Sequence, residues 1–331
     1  MTTILLRALF AIPAANSAGP TVLPAHFEAN LVRLTPETLD GKALTLYTDT
    51  GGGLFLKETA VKRLGLEVEK KPGDAESDGK PYEVAKLPAF MPGAWIPPPQ
   101  GNEGRLFVMP AVPPEKDVLP NEDGMLGQAW FGGRVWTWDY PAGRLTLEGH
   151  GWTPGFSMTH VPVGLRKDLA FPRIAIRVDG EDFDMLLDTG AMTVLEPAAL
   201  AKLGDGGPAR RATSMIVDSR FQAWRKKHPD WRVVENAQEH THAAMIEVPE
   251  VGIAGATVGP VWFTWRADRN FHEYMSGMMD GKVEGAIGGN ALSHFVMTVD
   301  YPSRAAYFRC ARDCKATPRP APGSPDAGRS R

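Results

Sequence analysis

Cysteine is scarce in this chain, and its scarcity excludes two classes of protein. Only two of the 331 residues are cysteine, which is too few for a multi-finger zinc protein or for a small scaffold held by many disulfides. The sequence also lacks any uninterrupted apolar run of the roughly 18 residues that a transmembrane helix needs. We therefore expect neither zinc fingers nor a membrane-spanning helix.

An excess of positive charge is missing as well. Lys and Arg number 36 and Asp and Glu number 39, for a formal net charge of −3. A dedicated nucleic-acid binder needs a basic face, so we expect no nucleic-acid partner. Glycine and proline, in contrast, are abundant at 35 and 29 residues. This composition favours many short strands joined by tight turns, and the length suits two domains.

The two ends of the chain differ in composition from its middle. Residues 1–18 pass from apolar to small side chains, which is typical of a secretory signal peptide cleaved after Ala15 or Ala18. A signal peptide predicts a periplasmic or secreted protein. The alternative is an ordinary first strand in a cytoplasmic protein. Residues 315–331 are rich in proline and predict a disordered tail.

Two groups of residues are of types that can bind metals. Cys310 and Cys314 can form a small disulfide in an oxidising compartment or remain two free thiols. Two ligands alone do not complete a tetrahedral shell, so we expect no metal there. We interpret His228, His240 and His242 as ordinary histidines of a solvated loop, because no cysteine or carboxylate pattern completes a metal site around them.

An internal repeat organises the sequence. The triplet Asp-Thr-Gly occurs at residues 49–51 and again at 188–190, each time after an apolar stretch that predicts a strand. A short helical pattern follows each copy. The first covers residues 57–64 and ends at Gly65, and the second begins at Pro197 and ends at Gly204.

The repeat continues downstream of each triplet. Each half contains a glycine, two apolar residues and a second glycine, and the glycines are Gly124, Gly127, Gly285 and Gly288. Fifteen residues after the first glycine of each copy comes Asp-Tyr-Pro, which begins at Asp139 and at Asp300. We interpret both aspartates as turn residues.

The second half of the chain is longer than the first. The interval from the triplet to the glycine segment is 75 residues in the first half and 97 in the second, a net insertion of 22. We expect this insertion at residues 219–242, which begin with an amphipathic helix capped by Ser219. The repeat predicts two β lobes, at residues 19–155 and 156–314.

Two pseudo-symmetric lobes would bring Asp49 and Asp188 together at their interface. Two carboxyls at one water-bearing site cannot both ionise easily, so they share a proton. One then acts as a general base on a water molecule. The other polarises a scissile carbonyl and later protonates the leaving amine. We therefore predict Asp49 and Asp188 as a catalytic pair.

The residues after each aspartate have supporting roles in this hypothesis. Thr50 and Thr189 can form hydrogen bonds across the pseudo-symmetry axis and fix the two loops. Gly51 and Gly190 let backbone N–H groups approach the carboxylates closely.

With these motifs, the chain resembles an aspartic protease of the pepsin and retroviral-protease superfamily. Residues 178–191 are similar to the retroviral type, and the two glycine segments resemble the family's apolar-apolar-Gly segment, which packs beneath the catalytic loop. The resemblance covers roughly residues 27–308. It implies a mostly β, bilobal, pepsin/retropepsin-like fold with few short helices. It also implies peptide hydrolysis without a metal or cofactor.

Some positions depart from the family pattern. Gly52 and Ala191 follow the triplets, where pepsin-like enzymes usually have Ser or Thr. The first lobe has no Tyr-Gly-Thr/Ser-Gly flap signature, and Tyr82 in a predicted hairpin is the nearest substitute. Four aromatic residues between the glycine segment and Asp139 predict core packing, namely Trp130, Phe131, Trp136 and Trp138. A pocket role for Trp130 is the alternative.

Two functions are compatible with these motifs. The first is an aspartic endopeptidase that acts on peptides or proteins as a monomer, because one chain carries both triplets. The alternative is a non-proteolytic bilobal protein that binds a peptide or another ligand and has kept the protease fold. The presence of both aspartates favours the enzyme.

Overall fold

The computed structural model describes residues 19–73 and 79–316. Short strands dominate these ranges. The strands of the first half are β1 Thr21–Val22, β2 Ala25–Glu28, β3 Leu31–Leu34, β4 Leu46–Thr48, β5 Leu54–Lys57, β6 Val68–Lys71, β7 Tyr82–Lys86, β8 Arg105–Met109, β9 Gly124–Leu126, β10 Val135–Asp139 and β11 Arg144–Leu147. The strands of the second half are β12 Thr159–Pro162, β13 Arg173–Val178, β14 Glu181–Leu187, β15 Met192–Val194, β16 Arg210–Ala212, β17 Ser214–Val217, β18 Val233–Val234, β19 Met245–Val248, β20 Val251–Ile253, β21 Ala256–Val258, β22 Val261–Arg266, β23 Gly285–Ile287, β24 Phe295–Asp300, β25 Ala305–Cys310 and β26 Lys315–Ala316.

The helices are short. They are α1 Glu58–Leu64, α2 Gln128–Phe131, α3 Pro197–Leu203, α4 Asp218–Lys227, α5 Ser276–Met278 and α6 Gly289–Leu292, with 3₁₀ turns at Asn102–Gly104 and Pro114–Lys116 and a π-helical turn at Asn270–Met275. The predicted ends of α1 and α3 are confirmed, because Gly65 and Gly204 adopt left-handed φ angles of 66° and 64°. Only glycine takes this conformation without strain.

Each half builds its own large sheet. Eight strands of the first half pair in the order β2-β3-β4-β9-β5-β8-β7-β6, and ten strands of the second half pair in the order β18-β19-β22-β17-β23-β14-β13-β20-β21-β26. The mostly β, two-lobed fold with few short helices that the resemblance implied is thus confirmed. The domain boundary near residue 155 remains a prediction.

The two sheets share a common arrangement around the glycine segments. In the first lobe β9 lies between β4 and β5, and in the second lobe β23 lies between β14 and β17, with the same parallel and antiparallel senses. The register makes β5 equivalent to β17, because Leu56 pairs with Gly124 and Ile216 pairs with Gly285.

This register corrects the predicted place of the insertion. Leu56 lies seven residues after Asp49, whereas Ile216 lies 28 residues after Asp188, so 21 of the 22 extra residues precede β17. The insertion is therefore β15, α3 and β16, and not residues 219–242. The helix in that stretch does exist, but it begins at Asp218 and has no side-chain cap. It follows β17 as α1 follows β5.

A third sheet joins the lobes. Its six strands run in the order β1-β11-β10-β24-β25-β12, and the antiparallel pair β10–β24 connects the two halves of the chain. At its centre Thr137 pairs with Thr298, and the two hydroxyl oxygens lie 2.8 Å apart. Both residues lie thirteen positions after the first glycine of their segment, so the pseudo-twofold axis passes between them.

The predicted turns and aromatic core lie next to this sheet. Asp139 accepts a hydrogen bond from the backbone N–H of Ala142, and Asp300 accepts one from Ser303, which confirms both as turn residues. The four predicted aromatic residues are fully buried and pack with ring centroids 4.4–5.3 Å apart, namely Trp130, Phe131, Trp136 and Trp138. Their role is therefore packing, which contributes several kcal/mol of hydrophobic stabilisation at about 25 cal/mol per Å².

The predictions for the chain ends fall partly outside the described ranges. Residues 1–18 and 317–331 lie outside them, so the signal peptide and most of the predicted tail remain predictions. Lys315 and Ala316 pair with β21, so the predicted start of the tail at residue 315 was two residues too early. No helix within the described ranges is both long enough and apolar enough to cross a membrane.

Candidate active site

The two Asp-Thr-Gly loops meet between the lobes. Asp49 follows β4, and its backbone N–H donates to the carbonyl oxygen of Leu126 at 3.1 Å. Asp188 follows β14, and its N–H donates to the carbonyl oxygen of Ile287 at 3.0 Å. Both acceptors belong to the glycine segments. Each segment therefore lies beneath its own loop and holds the aspartate at the end of its strand.

The two carboxyl groups are hydrogen-bonded to each other. Each also accepts a bond from its own loop. Oδ1 of Asp49 accepts from the N–H of Gly51 at 2.7 Å, and Oδ1 of Asp188 accepts from the N–H of Gly190 at 3.0 Å. Both aspartates are shielded from water, since Asp188 is buried and Asp49 is partly buried.

The pKa values of both carboxyls are raised. Burial raises the pKa of Asp188 well above its ordinary value, and the nearby charge of Asp49 and the hydrogen bond between the carboxyls raise it further. Burial also raises the pKa of Asp49, but the hydrogen bonds from Asp188 and the Gly51 N–H oppose that rise. The two groups therefore titrate as a pair that retains one shared proton over a wide pH range.

The threonines of the triplets connect the loops across the axis. The Thr50 hydroxyl donates to the carbonyl oxygen of Leu187 at 2.6 Å and accepts from the N–H of Thr189 at 3.0 Å. In return, the N–H of Thr50 donates to the Thr189 hydroxyl at 3.3 Å. Both side chains are fully buried. This exchange fixes the separation of the two aspartates.

The glycines of the triplets leave room for the opposite carboxyl. A Cβ on Gly51 would overlap the Asp188 carboxyl, and one on Gly190 would overlap Asp49. The second glycine of each glycine segment is restricted in the same way. A Cβ on Gly127 would overlap the carbonyl oxygen of Gly53, and a Cβ on Gly288 would overlap that of Thr213. Close approach of backbone requires glycine at these positions.

Sequence reasoning missed a buried polar network beside the dyad. The Tyr47 hydroxyl donates to the carbonyl oxygen of Gly190 at 2.8 Å, and the Arg210 guanidinium lies 5.6 Å from the Tyr47 ring centre. Glu122, whose side chain is fully buried, accepts from Arg33 at 2.7 Å and from Arg210 at 2.8 Å.

This network bridges the lobes, because Arg33 and Glu122 lie in the first lobe and Arg210 in the inserted β16 of the second. Burial raises the pKa of Glu122, but the hydrogen bonds from Arg210 and Arg33 outweigh it, and the net pKa is lowered. Glu122 is therefore an ionised group that holds both arginines.

A cavity of about 680 Å³ opens beside the dyad. Gly51 and Asp188 line it on one side, and residues of the segment 266–275 line it on the other. The wall of this cavity therefore comes from the connection between β22 and β23 in the second lobe. Sequence reasoning did not find it, because this connection has no repeated motif in the first half.

The remaining predicted positions lie elsewhere. Tyr82 begins β7 with its ring centre 6.1 Å from that of Phe107, and within the described residues it is not part of the lining of the cavity beside Asp188. Cys310 and Cys314 form a disulfide. Nε2 of His228 donates a hydrogen bond to Oδ2 of Asp179 at 2.8 Å, and the ring of His228 stacks on Trp231.

His240 and His242 are exposed on the loop before β19. Across residues 19–73 and 79–316, no group of three or more histidine, cysteine or acidic side chains is arranged to hold a metal ion.

The similarity of this chain to known proteins is found among solved structures. No protein-family model and no curated protein sequence matches the chain. Among solved structures, the chain is similar to conglutin gamma, a basic 7S globulin from lupine seeds, with 12% identity over 88% of this chain and 95% of that chain, and a TM-score of 0.45. It is also similar to the basic 7S globulin from soybean, with 10% identity over 88% and 94% of the two chains and a TM-score of 0.45.

Proposed function

We propose that this protein is an aspartic endopeptidase that hydrolyses peptide bonds in the cleft between its lobes. The observation that carries the proposal is the hydrogen-bonded pair Asp49 and Asp188, which two copies of one motif bring together in a water-shielded site. A carboxyl pair that shares one proton supplies both an acid and a base for acyl transfer to water.

The two carboxyls take different roles in the first step. Asp49, in its ionised form, accepts a proton from the attacking water. Asp188 donates its proton to the scissile carbonyl oxygen, which becomes a hydroxyl of the tetrahedral gem-diol intermediate. When the C–N bond breaks, the proton that Asp49 gained passes to the leaving amine, and a hydroxyl of the intermediate returns its proton to Asp188 as the C=O bond forms again. Both transfers use the two carboxyls, so the reaction needs no metal or cofactor.

The rest of the site restrains this pair. The Thr50 and Thr189 bonds hold the loops at a fixed separation, and the carbonyl of Gly190 is held by Tyr47. Precise placement of acid and base reduces the entropic cost of reaching the transition state. In this proposal, the cavity beside Asp188 accommodates a substrate side chain next to the scissile bond.

The test is hydrolysis of a mixed peptide library at about pH 5, where carboxylic acids of raised pKa keep their proton. We expect cleavage by the wild-type chain and inhibition by a statine-type transition-state analogue. Asp49→Asn and Asp188→Asn should each retain less than about 1% of the activity, because each removes one partner of the proton transfer.

Asp139→Asn and Asp300→Asn are the matched controls, because they make the same change at the other repeated pair of aspartates. Both lie in turns of the sheet between the lobes, so activity should persist. Retention of activity by Asp49→Asn or Asp188→Asn would rule out the dyad.

A second function is favoured by one feature of the first lobe. Tyr82, the nearest substitute for the family's flap tyrosine, begins β7, and β7 and β6 are the last two strands at the edge of the sheet, separated from β4 by β9, β5 and β8. Its ring lies against Phe107. If no flap residue holds a substrate over the dyad, the cleft can bind a peptide or another ligand without hydrolysing it. Stable binding of peptides that stay intact after long incubation would support this function in place of the enzyme.

We also propose that the protein is exported, on the basis of the signal-like residues 1–18. The Cys310–Cys314 disulfide is compatible with an oxidising compartment. Intact-mass measurement of protein from its native host tests this: loss of the first residues is expected. A full-length N-terminus with two free thiols would instead indicate a cytoplasmic protein.

A further inference from the structure

The cavity beside Asp188 is lined by both apolar and basic residues. The apolar residues include Leu186, Met215 and Phe271, and the basic residues are Arg266 and Arg269. A volume of about 680 Å³ is within the usual range for a binding pocket and large enough for an amino-acid side chain.

Arg266 is a partly buried arginine in the lining of the cavity beside Asp188. It ends β22, and its Nη1 donates to Oε1 of Gln238 and to the carbonyl oxygen of Trp265, both at 2.8 Å. Within the described ranges no carboxylate lies within 4.0 Å of its guanidinium, whereas Arg33, Arg173 and Arg210 each contact one.

This arginine stays charged under the conditions of the proposed reaction. Burial lowers the pKa of Arg266 to about 10, so the group is a cation at neutral and acidic pH. A partly buried cation without an anionic partner has lost hydration and gains strongly from a bound carboxylate. In the described part of the structure, its Nε and Nη2 have no protein acceptor and remain available for one.

The other charged groups beside the cavity balance one another. Arg269 and Glu273 are exposed residues of its lining, and neither has an ion-pair partner within 4.0 Å among the described residues. Arg269 adds a positive charge, Glu273 a negative charge, and the dyad with one shared proton a further negative charge. A carboxylate bound in the cavity is therefore held by the Arg266 guanidinium itself and not by a net positive charge of the whole lining.

We propose that this cavity binds a carboxylate of the substrate through the Arg266 guanidinium, and that it gives the site a preference for peptides with an acidic group beside the scissile bond. The proposal rests on the proposed function, because Asp188 lines the same cavity. Two sources supply this chemistry: the side chain of a Glu or Asp residue, and the free carboxylate at a peptide's C-terminus. The apolar lining residues suit the methylene groups of either, and the guanidinium fork matches the two carboxylate oxygens.

Four peptides of otherwise identical sequence separate the two sources. The first has Glu two or fewer positions from the cleaved bond and blocked ends, and the second has Gln in its place. The third has Gln and a free C-terminal carboxylate at the same distance from the bond, and the fourth is its C-terminal amide.

The wild-type protein is assayed at about pH 5, where a carboxylate is largely ionised. In at least one of the two pairs, we expect kcat/KM to be at least about tenfold higher for the carboxylate peptide than for its uncharged counterpart. The pair that shows the difference identifies the source of the carboxylate. Equal values within both the Glu–Gln pair and the acid–amide pair would overturn the proposal.

Variants of Arg266 test the residue itself. Arg266→Gln should lose most of the preference, measured as the ratio of kcat/KM for each carboxylate peptide to kcat/KM for its uncharged counterpart. Arg266→Lys should restore part of the preference, because it keeps the charge without the fork. Arg309→Gln, at an exposed arginine of β25, is the matched control and should keep the full preference. If Arg266→Gln does not fold, the wild-type peptide comparison still decides the proposal.

A binding experiment distinguishes failure of this proposal from failure of the enzymatic one. The Asp49→Asn protein is mixed with fluorescently labelled versions of the four peptides, and binding is measured by fluorescence anisotropy. Binding at least about tenfold tighter for a carboxylate peptide, with no hydrolysis by wild-type protein, would support the carboxylate site and refute the protease. Hydrolysis of all four peptides at equal rates, with equal binding, would refute the carboxylate site and leave the protease supported.

Discussion

Thr50 of the first lobe accepts a hydrogen bond at 3.0 Å from the backbone N–H of Thr189 in the second lobe. The same Thr50 hydroxyl donates to the carbonyl of Leu187 at 2.6 Å. One buried hydroxyl thus satisfies two backbone groups of the opposite lobe, at the base of the loop that carries Asp188. The distance between the proposed catalytic groups therefore depends on this side chain.

We expect Thr50→Val to impair both stability and activity. The substitution keeps the shape of the side chain but leaves a buried N–H and a buried carbonyl of the second lobe without partners, which costs about 1–3 kcal/mol. Because the aspartates would also lose their fixed separation, kcat should fall at least about tenfold. Chemical denaturation and peptide hydrolysis measure the two effects.

Thr48→Val is the matched control for this change. Thr48 is also fully buried, but its hydroxyl donates to the carbonyl of Val32 within the first lobe. It should cost a similar amount of stability and leave kcat nearly unchanged. Equal losses of kcat in Thr48→Val and Thr50→Val would show that the bond between the lobes has no special role.

The sequence predicted the features that depend on local chemistry. The two Asp-Thr-Gly loops, the glycine ends of α1 and α3, and the turns at Asp139 and Asp300 each follow from a few adjacent residues and from their repetition. Turn geometry and helix termination are local properties, so they can be recognised without knowledge of the tertiary structure.

The features that depend on strand pairing were not predictable in this way. Both α1 and α3 follow a triplet and end in glycine, so their patterns suggested that they were equivalent. Only the pairing of Leu56 with Gly124 and Ile216 with Gly285 shows that β17 occupies the place of β5. The ion pair between Glu122 and Arg210 joins residues 88 positions apart, and no local pattern encodes such a contact.

Asp188→Asn should stabilise the folded chain at neutral pH. The pKa of Asp188 is raised on folding by burial and by Asp49, so the folded state retains a proton that the unfolded chain releases above about pH 4. The contribution of Asp188 to the free energy of unfolding is fully present below that pH and is lost as the pH rises toward the pKa of Asp188 in the folded state. The asparagine variant has no proton to lose and avoids this loss.

Thermal unfolding at two pH values tests this expectation. Asp188→Asn should unfold at a higher temperature than wild type at about pH 7 and show little gain at about pH 3, where both states of the wild type are mostly protonated. Asp139→Asn makes the same chemical change in a turn and should show no such pH-dependent gain. A gain for Asp188→Asn that is equal at both pH values would contradict the assigned direction of the pKa.

Gly190→Ala should abolish hydrolysis. A Cβ at this position would overlap the side chain of Asp49, so the carboxyl would have to move away from its partner. We expect a loss of at least about 100-fold in kcat, because small displacements of a catalytic group have large effects on rate. Hydrolysis of a peptide that the wild type cleaves provides the measurement.

Gly53→Ala is the control for this prediction, because Gly53 lies two residues after the glycine of the first triplet. The nearest atom to a Cβ there is Cδ1 of Phe55 at 4.0 Å, which is ordinary van der Waals contact. We expect activity to persist and the free energy of unfolding to change by less than about 1 kcal/mol. The change is a gain in stability if the main effect of alanine is to lower the conformational entropy of the unfolded chain. An active Gly190→Ala variant would mean that the loops tolerate a wider separation than the proposed reaction allows.

A single chain should be the active unit. Both aspartates belong to one polypeptide, and its two halves are joined by the β10–β24 pairing, by the bond between Thr50 and Thr189, and by the contacts of Arg33 and Arg210 with Glu122. An enzyme that built its site from two chains would lose activity on dilution, because the dimer would dissociate. We therefore expect specific activity to stay constant down to nanomolar protein.

Mixing two inactive variants tests the same point independently of concentration. Asp49→Ala protein retains an intact second loop, and Asp188→Ala protein retains an intact first loop. If lobes paired between chains, a mixture would form some sites with both aspartates and recover part of the activity. We expect no recovery, because each chain closes its own cleft through the six-stranded sheet. Recovered activity in the mixture, or a loss of activity on dilution of wild type, would show that the active unit contains more than one chain.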